Sequence, residues 1–532
     1  MKKKTSLLIS LISLCTFIFQ SCTKPEIKND SAINSSDETD RTDYIISDGT
    51  YKISPLNNNS QAIALAKLLQ EDSVYISIRN YSADSTNHLW HFTNTGNGYY
   101  RISNAYSGKV LSAPAGASNE GKQLLQLRYD TSDNQLWQIR RPQSNVYKFV
   151  NKATGLCVNL ERNGNITERA IVKNNNKQLW TLTSVNAIYC DVDANNFFRR
   201  TEGWIASDGA SSIVMNDGRV LWTMGDSHID DYFYNTGKVY CLFQVRNAAL
   251  LQPANHSWHW PLTSTLIGNP YTGFQSYFKN KPDDDHWMWP GCGVQVSGND
   301  TVYVYNQPLR KKGIGGIWDF ENDSNAVWAK IRSSDMQVVQ YSLLQNFNEI
   351  NFGLGFIKES DGYVYAFGDR QTFIVSNVYV ARFPASNPNA PWTFWTGSQW
   401  SSNIKDIRRV SEAASNGAAV VKYGNKYICI STEFSVGCDQ GSHIYAAWSS
   451  SPTGPFTTRK IFYEIPDRLQ GHIPFFYTPN AHPQFQNAAD ELLITYDING
   501  YGDCVNTCHR GRMDPDLYRP KAIRVPFSLI DK

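Results

Sequence analysis

Two aspartates are placed symmetrically around a predicted β-hairpin turn. Asp217-Gly218 is a typical turn dipeptide, and Asp208 and Asp226 stand nine residues before and nine residues after Asp217. If the two strands pair with little slippage, the carboxyl groups lie side by side, with Cβ atoms about 5 Å apart. Such a pair raises the pKa of one member and can supply both an acid and a base. The alternative is two solvated turn acids, and two tryptophans in the same stretch favour catalysis.

Seven further side chains could bind a substrate beside this pair. Each type also has a structural explanation: a lone histidine is often a hydrogen-bonded core residue, a tryptophan often fills a sheet core, and Asp369 could pair with Arg370. The candidates are strand-end acids, neutral hydrogen-bonding side chains and tryptophans that could stack on sugar faces: Asp369, Glu433, His482, Asn480, Asn499, Trp287 and Trp289.

The sequence predicts no organic cofactor, because no glycine-rich phosphate-binding loop precedes a helix. The run Asp283-Asp284-Asp285 is either a solvated turn or an oxygen cluster that could hold a structural Ca²⁺. Cys504 and Cys508 are the closest local disulfide pair, whereas a zinc site would need a second close pair of ligands.

Composition limits the classes of protein to which the chain can belong. It has 532 residues, with 50 Lys and Arg against 48 Asp and Glu, a formal charge of +2, and 13% aromatic residues. This content is too aromatic for a disordered chain and too neutral for one that binds nucleic acid through its net charge. Aromatic residues favour β-strands and sugar-binding surfaces.

The N-terminus predicts export. Three lysines precede an apolar run from Leu7 to Phe19, and Ser21-Cys22 follows it, which together describe a signal peptide over residues 1–21. The Cys after this break resembles the lipobox of bacterial lipoproteins, which implies lipidation of Cys22; an ordinary signal peptide is the alternative. Residues 22–43 are polar and read as a flexible tether. We therefore expect a lipid-anchored protein of the bacterial cell envelope, periplasmic or at the cell surface.

A threefold repeat follows the tether. Leu-Trp pairs recur at spacings of 47 and 43 residues, ending at Trp90, Trp137 and Trp180, between short strands and polar turns. Residues 44–185 thereby resemble the ricin B-type lectin, a β-trefoil whose repeated tryptophans pack the core. In that family an Asp usually binds sugar where this chain has Ser112 and Asn159. The weak candidates for sugar binding are Asn159, Tyr129 and Asn134.

Residues 186–532 contain short apolar runs between hairpin-turn signals and lack a sustained helical period. About 350 residues of short antiparallel strands suit a five-bladed β-propeller, with a β-sandwich as the alternative. The expected fold class is therefore all-β: a β-trefoil followed by a five-bladed β-propeller, the second being the proposed catalytic domain.

The same part of the chain resembles a known propeller family. Trp204, Asp208-Gly209, Asp217-Gly218-Arg219, Leu221-Trp222 and Gly225-Asp226-Ser227 follow, in order, the pattern of domain of unknown function 4185 and its neighbour 5005. The first of these is grouped with glycoside hydrolases that act on D-arabinan. Cys292 and Gln484 stand where an Asp and a Glu are expected, which implies a different substrate or a lost catalytic group.

Together these features predict a surface-anchored glycoside hydrolase that uses Asp208 and Asp226 on a furanose-rich, D-arabinan-like or related polysaccharide. The alternative is a glycan-binding lipoprotein that captures polysaccharide for partner enzymes without cutting it. The expected partners are the polysaccharide and, through the lipid anchor only, the membrane; we expect no nucleic acid and a monomer.

Overall fold

The computed structural model describes residues 46–531, apart from 117–119, 269–272, 297, 299, 317–318, 436, 500–504 and 506. The signal peptide, Cys22 and the whole tether lie outside the described residues. The longest helix in the described part has six residues, so none there is long enough to cross a membrane.

The first region is a trefoil-like set of twelve short antiparallel strands. Its strands are β1 (Gly49–Pro55), β2 (Gln61–Leu65), β3 (Val74–Asn80), β4 (Leu89–Gly96), β5 (Tyr99–Asn104), β6 (Val110–Ser112), β7 (Leu125–Leu127), β8 (Leu136–Gln143), β9 (Val146–Asn151), β10 (Cys157–Leu160), β11 (Ile166–Arg169) and β12 (Trp180–Ser184).

The three repeated tryptophans fill the centre of this region. Trp90, Trp137 and Trp180 are fully buried in one apolar cluster. Each indole Nε1 donates to a backbone carbonyl in its own repeat, of Ile63 at 2.9 Å, Leu111 at 2.9 Å and Val158 at 3.4 Å. The indole rings thus contribute both apolar area and a satisfied buried donor, which is why the sequence repeats them.

The second region consists of five antiparallel sheets in a ring, the predicted five-bladed propeller. From the inside outward, the first four blades are β15 (Ser211–Val214), β16 (Val220–Met224), β19 (Ala248–Gln252) and β20 (Ser264–Leu266); β21 (His286–Gln295), β22 (Thr301–Arg310), β24 (Val327–Arg332) and β25 (Gln337–Leu343); β26 (Asn351–Lys358), β27 (Tyr363–Thr372), β28 (Val375–Pro384) and β29 (Thr393–Trp395); and β32 (Ala418–Tyr423), β33 (Lys426–Thr432), β34 (His443–Ser449) and β35 (Lys460–Glu464).

The fifth blade closes the ring. Its strands β36 (Phe475–His482), β37 (Glu491–Asn499) and β39 (Lys521–Pro526) come from the end of the chain, whereas its outer strand β13 (Tyr189–Cys190) comes from the start of the propeller. Backbone hydrogen bonds thus join the two ends of the propeller and close the ring of blades.

Short elements connect the blades. They are α1 (Val192–Phe197), β14 (Trp204–Ser207), β17 (Ser227–Ile229), β18 (Val239–Tyr240), β23 (Glu321–Asn322), β30 (Trp400–Ser401), β31 (Ser411–Ala413), β38 (Arg512–Met513) and α2 (Phe527–Ile530). The β18–β38 pair is reinforced by a disulfide between Cys241 and Cys508, so the local pairing of Cys508 with Cys504 was wrong. Ring closure makes the first and fifth blades neighbours, and this contact, rather than closeness in sequence, selects the partner.

The trefoil-like region packs directly on the propeller. Arg101 of β5 forms an ion pair with Asp193 of α1 at 2.6 Å, and the rings of His91 and Tyr189 stack with centroids 3.7 Å apart. Arg128, between β7 and β8, pairs with Asp516 near the end of the propeller, also at 2.6 Å. The two regions are therefore linked by charged and aromatic contacts as well as by the chain.

Candidate active site

Asp208 and Asp226 face each other across one long hairpin. Strands β15 and β16 pair with Ser211 opposite Thr223, and β14 and β17 continue in the same register with Ser207 opposite Ser227. That register places Asp208 opposite Asp226, where the turn position predicted it. The backbone N–H of Asp226 donates to Asp208 Oδ1 at 3.1 Å.

The regular strand pairing of this hairpin is interrupted beside Asp208, where its carboxyl group occupies the space next to Gly225. A Cβ on Gly225 would lie 2.0 Å from Asp208 Oδ1, so only glycine allows the Asp208 side chain to lie against the opposite strand. The Gly225 N–H also donates to the Asp208 carbonyl at 2.8 Å, which maintains the strand pairing through the interruption.

A third carboxyl group joins the pair from the fifth blade. Asp497 of β37 accepts from the Gly209 N–H at 2.7 Å and from the Thr478 hydroxyl, and its Oδ1 is buried without a hydrogen-bond partner in the described structure. Thr478 has a φ of 42° within a bulge of β36. A β-branched residue adopts this conformation only under strain, and strain and bulges of this kind are common at functional sites.

The inner strands are bulged in two other blades as well. Register shifts occur between Pro290 and Gly293 in β21 and between Asn351 and Gly355 in β26. The first bulge contains Cys292, whose thiol is hydrogen-bonded to Ser211, three residues from Asp208. Burial raises the pKa of this thiol to about 11, so at neutral pH Cys292 is a neutral group beside the site.

Burial raises the pKa of all three carboxyl groups. Burial is the largest cause for Asp208, Asp226 and Asp497, and the charge of Asp208 raises the pKa of the other two further. Asp226 and Asp497 are raised well above the ordinary range, which favours their protonated forms. Three such groups cannot all be ionised together.

The hydrogen-bond donors around the carboxyl groups are distributed unequally. Asp208 accepts from the Tyr477 hydroxyl at 2.9 Å, from Tyr518 and from the Asp226 N–H, and each bond lowers its pKa. Asn499 in turn donates to the Tyr477 oxygen at 3.2 Å. Asp208 is therefore the member best able to carry the negative charge.

Asp226 has a single charged partner. Its Oδ2 lies 3.4 Å from Nη1 of Arg246, and its Oδ1 is buried and unpartnered in the described structure. The Arg246 guanidinium lies between two aromatic rings, 4.3 Å from the Trp287 centroid and 5.0 Å from that of Phe243. The Asp226 side chain is 15% exposed, so the pair can be reached from solvent.

Several predicted substrate-binding residues have structural roles instead. His482 is fully buried, with its ring nitrogens bonded to Ser212 and Thr495, and burial lowers its pKa to about 3; its assignment to substrate stays a prediction. Glu433 accepts from two backbone N–H groups and the His443 ring, and so organises its own loop. Both ring nitrogens of His482 are therefore used within the protein, whereas the described hydrogen bonds of Glu433 involve only its Oε2.

Asp369, another predicted substrate-binding residue, lies in the third blade. Its side chain is buried in β27, and burial raises its pKa to about 7. Arg370, the alternative partner of Asp369, donates to the Tyr379 hydroxyl at 3.1 Å. Asp369 is a protonatable core group that lies apart from the carboxyl cluster formed by Asp208, Asp226 and Asp497.

The remaining predicted residues lie at or near the cluster. Asn480 accepts from the Ser211 hydroxyl at 3.2 Å, and Asn499 contacts Tyr477 as described. Trp287 is buried against Arg246, whereas Trp289, two residues along β21, is 39% exposed. Trp289 is thus the tryptophan of the two that can still stack on a sugar.

Sequence reasoning missed two residues of this site, the carboxyl group of Asp497 and the guanidinium of Arg246. Asp497 follows the apolar run of β37, and an acid at the end of a buried strand is a usable signal. Arg246 has no comparable signal, because its place beside Asp226 depends on the fold of the connection between β17 and β19.

The trefoil candidates are engaged within the protein. Asn159 donates to Glu161 at 3.2 Å, Asn134 donates to the Ala113 carbonyl at 2.9 Å, and Tyr129 lies under Arg101 in the contact with the propeller. The third repeat nevertheless has an open polar cleft of about 580 Å³, lined in part by Glu161 and Arg169.

The acidic run has partners of its own. Asp283 bonds His286, Asp284 pairs with Lys279 and Asp285 pairs with Lys311, which is the arrangement of a solvated turn rather than a Ca²⁺ site. Within the described residues, no group of three His, Cys, Asp or Glu side chains is placed to hold a metal ion.

Comparisons with known proteins agree with this architecture. Residues 191–527 match the model of a family described as domain of unknown function (DUF5005), the second of the two neighbouring families suggested by the motifs. Residues 86–175 and 133–196 match the ricin-type beta-trefoil lectin domain-like family. None of the curated proteins matches the chain.

Solved structures are similar to parts of this chain. A putative hydrolase from Bacteroides ovatus ATCC 8483 is 19% identical over 63% of this chain and 89% of that chain, with a TM-score of 0.51. The designed 3-fold symmetric protein ThreeFoil is 23% identical over 26% of this chain and 100% of that chain, with a TM-score of 0.25. A Polyporus squamosus lectin is 16% identical over 56% and 95%, also with a TM-score of 0.25.

Proposed function

We propose, since this chain belongs to the domain of unknown function (DUF5005) family, that it is a glycoside hydrolase acting on a furanose-rich, D-arabinan-like or related polysaccharide. A lectin-like region joined to a propeller fits a glycan-binding or glycosidase-like protein. The observation that carries the proposal is the opposed pair Asp208 and Asp226, partly open to solvent, with unequal hydrogen-bond partners.

The unequal partners assign a role to each aspartate. Asp226, kept protonated by burial and by the Asp208 charge, is the general acid that donates a proton to the leaving-group oxygen. Asp208, with three donors on its carboxyl group, is the ionised partner, which acts either as nucleophile or as base for a water. Asp497 accepts a hydrogen bond from the Gly209 N–H and thereby stabilises the turn after Asp208.

The test is hydrolysis of a glycan panel that includes arabinan, measured as new reducing ends. Asp208→Asn and Asp226→Asn keep the side-chain size but remove charge or proton, so each should lower kcat by at least about 10²-fold. Asp217→Asn, at the exposed tip of the same hairpin, is the matched control and should retain wild-type rates. Asn variants that stay within a few-fold of wild type on a confirmed substrate would rule out the pair.

Glycan capture without turnover is the second candidate, and the open cleft of the third trefoil repeat favours it. The two departures from the family pattern weigh less: Gln484 donates to Ser212 at 2.7 Å, and Cys292 is hydrogen-bonded to Ser211. Binding of a glycan that the wild-type protein never cleaves would select this candidate.

The proposed location is the bacterial cell envelope, through a lipid on Cys22. The basic start, the short apolar run and the polar tether support this proposal. Wild-type protein expressed in bacteria should fractionate with membranes, and Cys22→Ser should release it to the soluble fraction. Continued membrane binding of Cys22→Ser protein would contradict lipid anchoring.

A further inference from the structure

Arg246 is a fixed cation beside the candidate acid, and its donors are mostly unused. The only side-chain hydrogen bond that it makes to the described residues is the 3.4 Å contact with Asp226. Its backbone N–H donates to the Ser276 hydroxyl at 3.1 Å, which anchors the residue at its base. A guanidinium carries five N–H donors, so most of them remain available.

Aromatic stacking holds the guanidinium in place. Its carbon lies 4.3 Å from the Trp287 centroid and 5.0 Å from the Phe243 centroid, so two rings limit its movement while the side chain stays 35% exposed. Arginine suits such a position because its planar fork can stack and still form two parallel hydrogen bonds to an oxyanion.

The neighbouring acid does not neutralise this cation fully. The contact with Asp226 is long and involves one nitrogen, unlike a two-point ion pair. Burial also raises the pKa of Asp226, so that its protonated form leaves the guanidinium charge uncompensated. A cation that is held rigidly, reachable from solvent and short of a counter-ion is suited to a negatively charged ligand.

We propose that Arg246 binds a negatively charged oxygen group on the sugar next to the Asp208–Asp226 pair, either a carboxylate or a sulfate ester. The inference rests on the proposed function for the placement of the sugar, and it narrows the proposed substrates to those related polysaccharides that carry an acidic group, which arabinan itself lacks. A neutral sugar would offer the guanidinium only hydroxyl and ring oxygens, which form weaker hydrogen bonds than a charged oxygen group does.

The test measures sugar binding without turnover, by ligand-observed saturation-transfer NMR at constant ionic strength. The probes are D-galacturonate, D-galactose 6-sulfate and neutral D-galactose. Wild-type protein should bind at least one charged sugar about 10-fold more tightly than galactose, because hydrogen bonds between charged groups are the strong ones. The charged sugar that binds more tightly identifies the substituent.

Variants locate the effect. Arg246→Gln should abolish the preference for the charged sugar, Arg246→Lys should keep part of it, and Arg370→Gln should leave it intact. Arg370 is the matched control because it also stacks on an aromatic ring, that of Tyr379, but lies in the third blade. Equal binding of charged and neutral sugars by wild-type protein, or an unchanged preference in Arg246→Gln, would overturn the proposal.

This outcome is separable from that of the proposed function. Asp208→Asn should lose hydrolysis and still prefer the charged sugar. A charge preference in a protein that cleaves no glycan would support the Arg246 site and reject the hydrolase, whereas cleavage of neutral glycans without any charge preference would do the reverse.

Discussion

At the scale of single residues, partners rather than residue types distinguish the two aspartates. Asp208 has two tyrosine hydroxyls and a backbone N–H, whereas Asp226 has one distant guanidinium. The hairpin turn was enough to predict that they face each other, because antiparallel pairing depends on local sequence. Asp497 could not be placed in this way, since it reaches the site from nearly 290 residues further along the chain.

Tyr477 tests the role assigned to Asp208. Its hydroxyl donates to the Asp208 carboxylate and so stabilises the ionised form; Tyr477→Phe removes this bond and raises the pKa of Asp208. Because activity needs ionised Asp208, the acidic limb of the kcat/KM profile should move to higher pH, with a loss of about 10-fold on that limb. Tyr496→Phe, which loses a bond to Asp467 instead, is the control and should keep the wild-type profile.

At the scale of elements, strand pairing and buried tryptophans explain most of what could be predicted. The threefold repeat identified Trp90, Trp137 and Trp180 as core, and all three are fully buried. The bulges of β21, β26 and β36 were not predictable, because a bulge depends on how neighbouring blades pack, not on one strand's sequence.

Trp137→Ala should destabilise the trefoil region by about 3–5 kcal/mol, because it leaves a large cavity and an unsatisfied Leu111 carbonyl. Thermal or denaturant unfolding followed by circular dichroism measures the change. Trp289→Ala removes a partly exposed tryptophan of the same size and should cost far less. Equal losses in the two variants would contradict a core role for Trp137.

At the scale of the whole molecule, one buried acid links the trefoil-like region to the site. Asp516 binds Arg128 of the trefoil at 2.6 Å and Arg519 of the propeller at 2.8 Å, and the adjacent Tyr518 donates to Asp208. The surrounding arginines hold the pKa of Asp516 well below its ordinary value of 3.8 despite burial, which opposes this shift. The short segment from Asp516 to Arg519 therefore contacts both the trefoil-like region and the carboxyl group of Asp208.

Asp516→Asn should cost about 3–5 kcal/mol of stability at pH 7, because it leaves the buried Arg519 without its carboxylate partner. A lowered pKa means that this stabilisation is present above the ordinary carboxyl pKa and is lost as the pH falls below about 3.8, so the difference from wild type should shrink in acid. Asp133→Asn, which removes an exposed pair with Lys152, should change stability by less than about 1 kcal/mol. Melting curves from pH 3 to 7 provide the comparison.

The sequence by itself determined the features that local rules control. Alternating apolar runs, Asp-Gly turns and the tryptophan repeat specified an all-β chain with a trefoil-like region and a five-bladed propeller, and turn symmetry placed Asp208 opposite Asp226. Only the tertiary structure decided which distant groups join them. Ring closure brings Asp497 and Tyr477 from the fifth blade, a connecting loop brings Arg246, and the disulfide partner of Cys508 lies 267 residues away. Such contacts depend on how blades pack around a common axis, which no single stretch of sequence encodes.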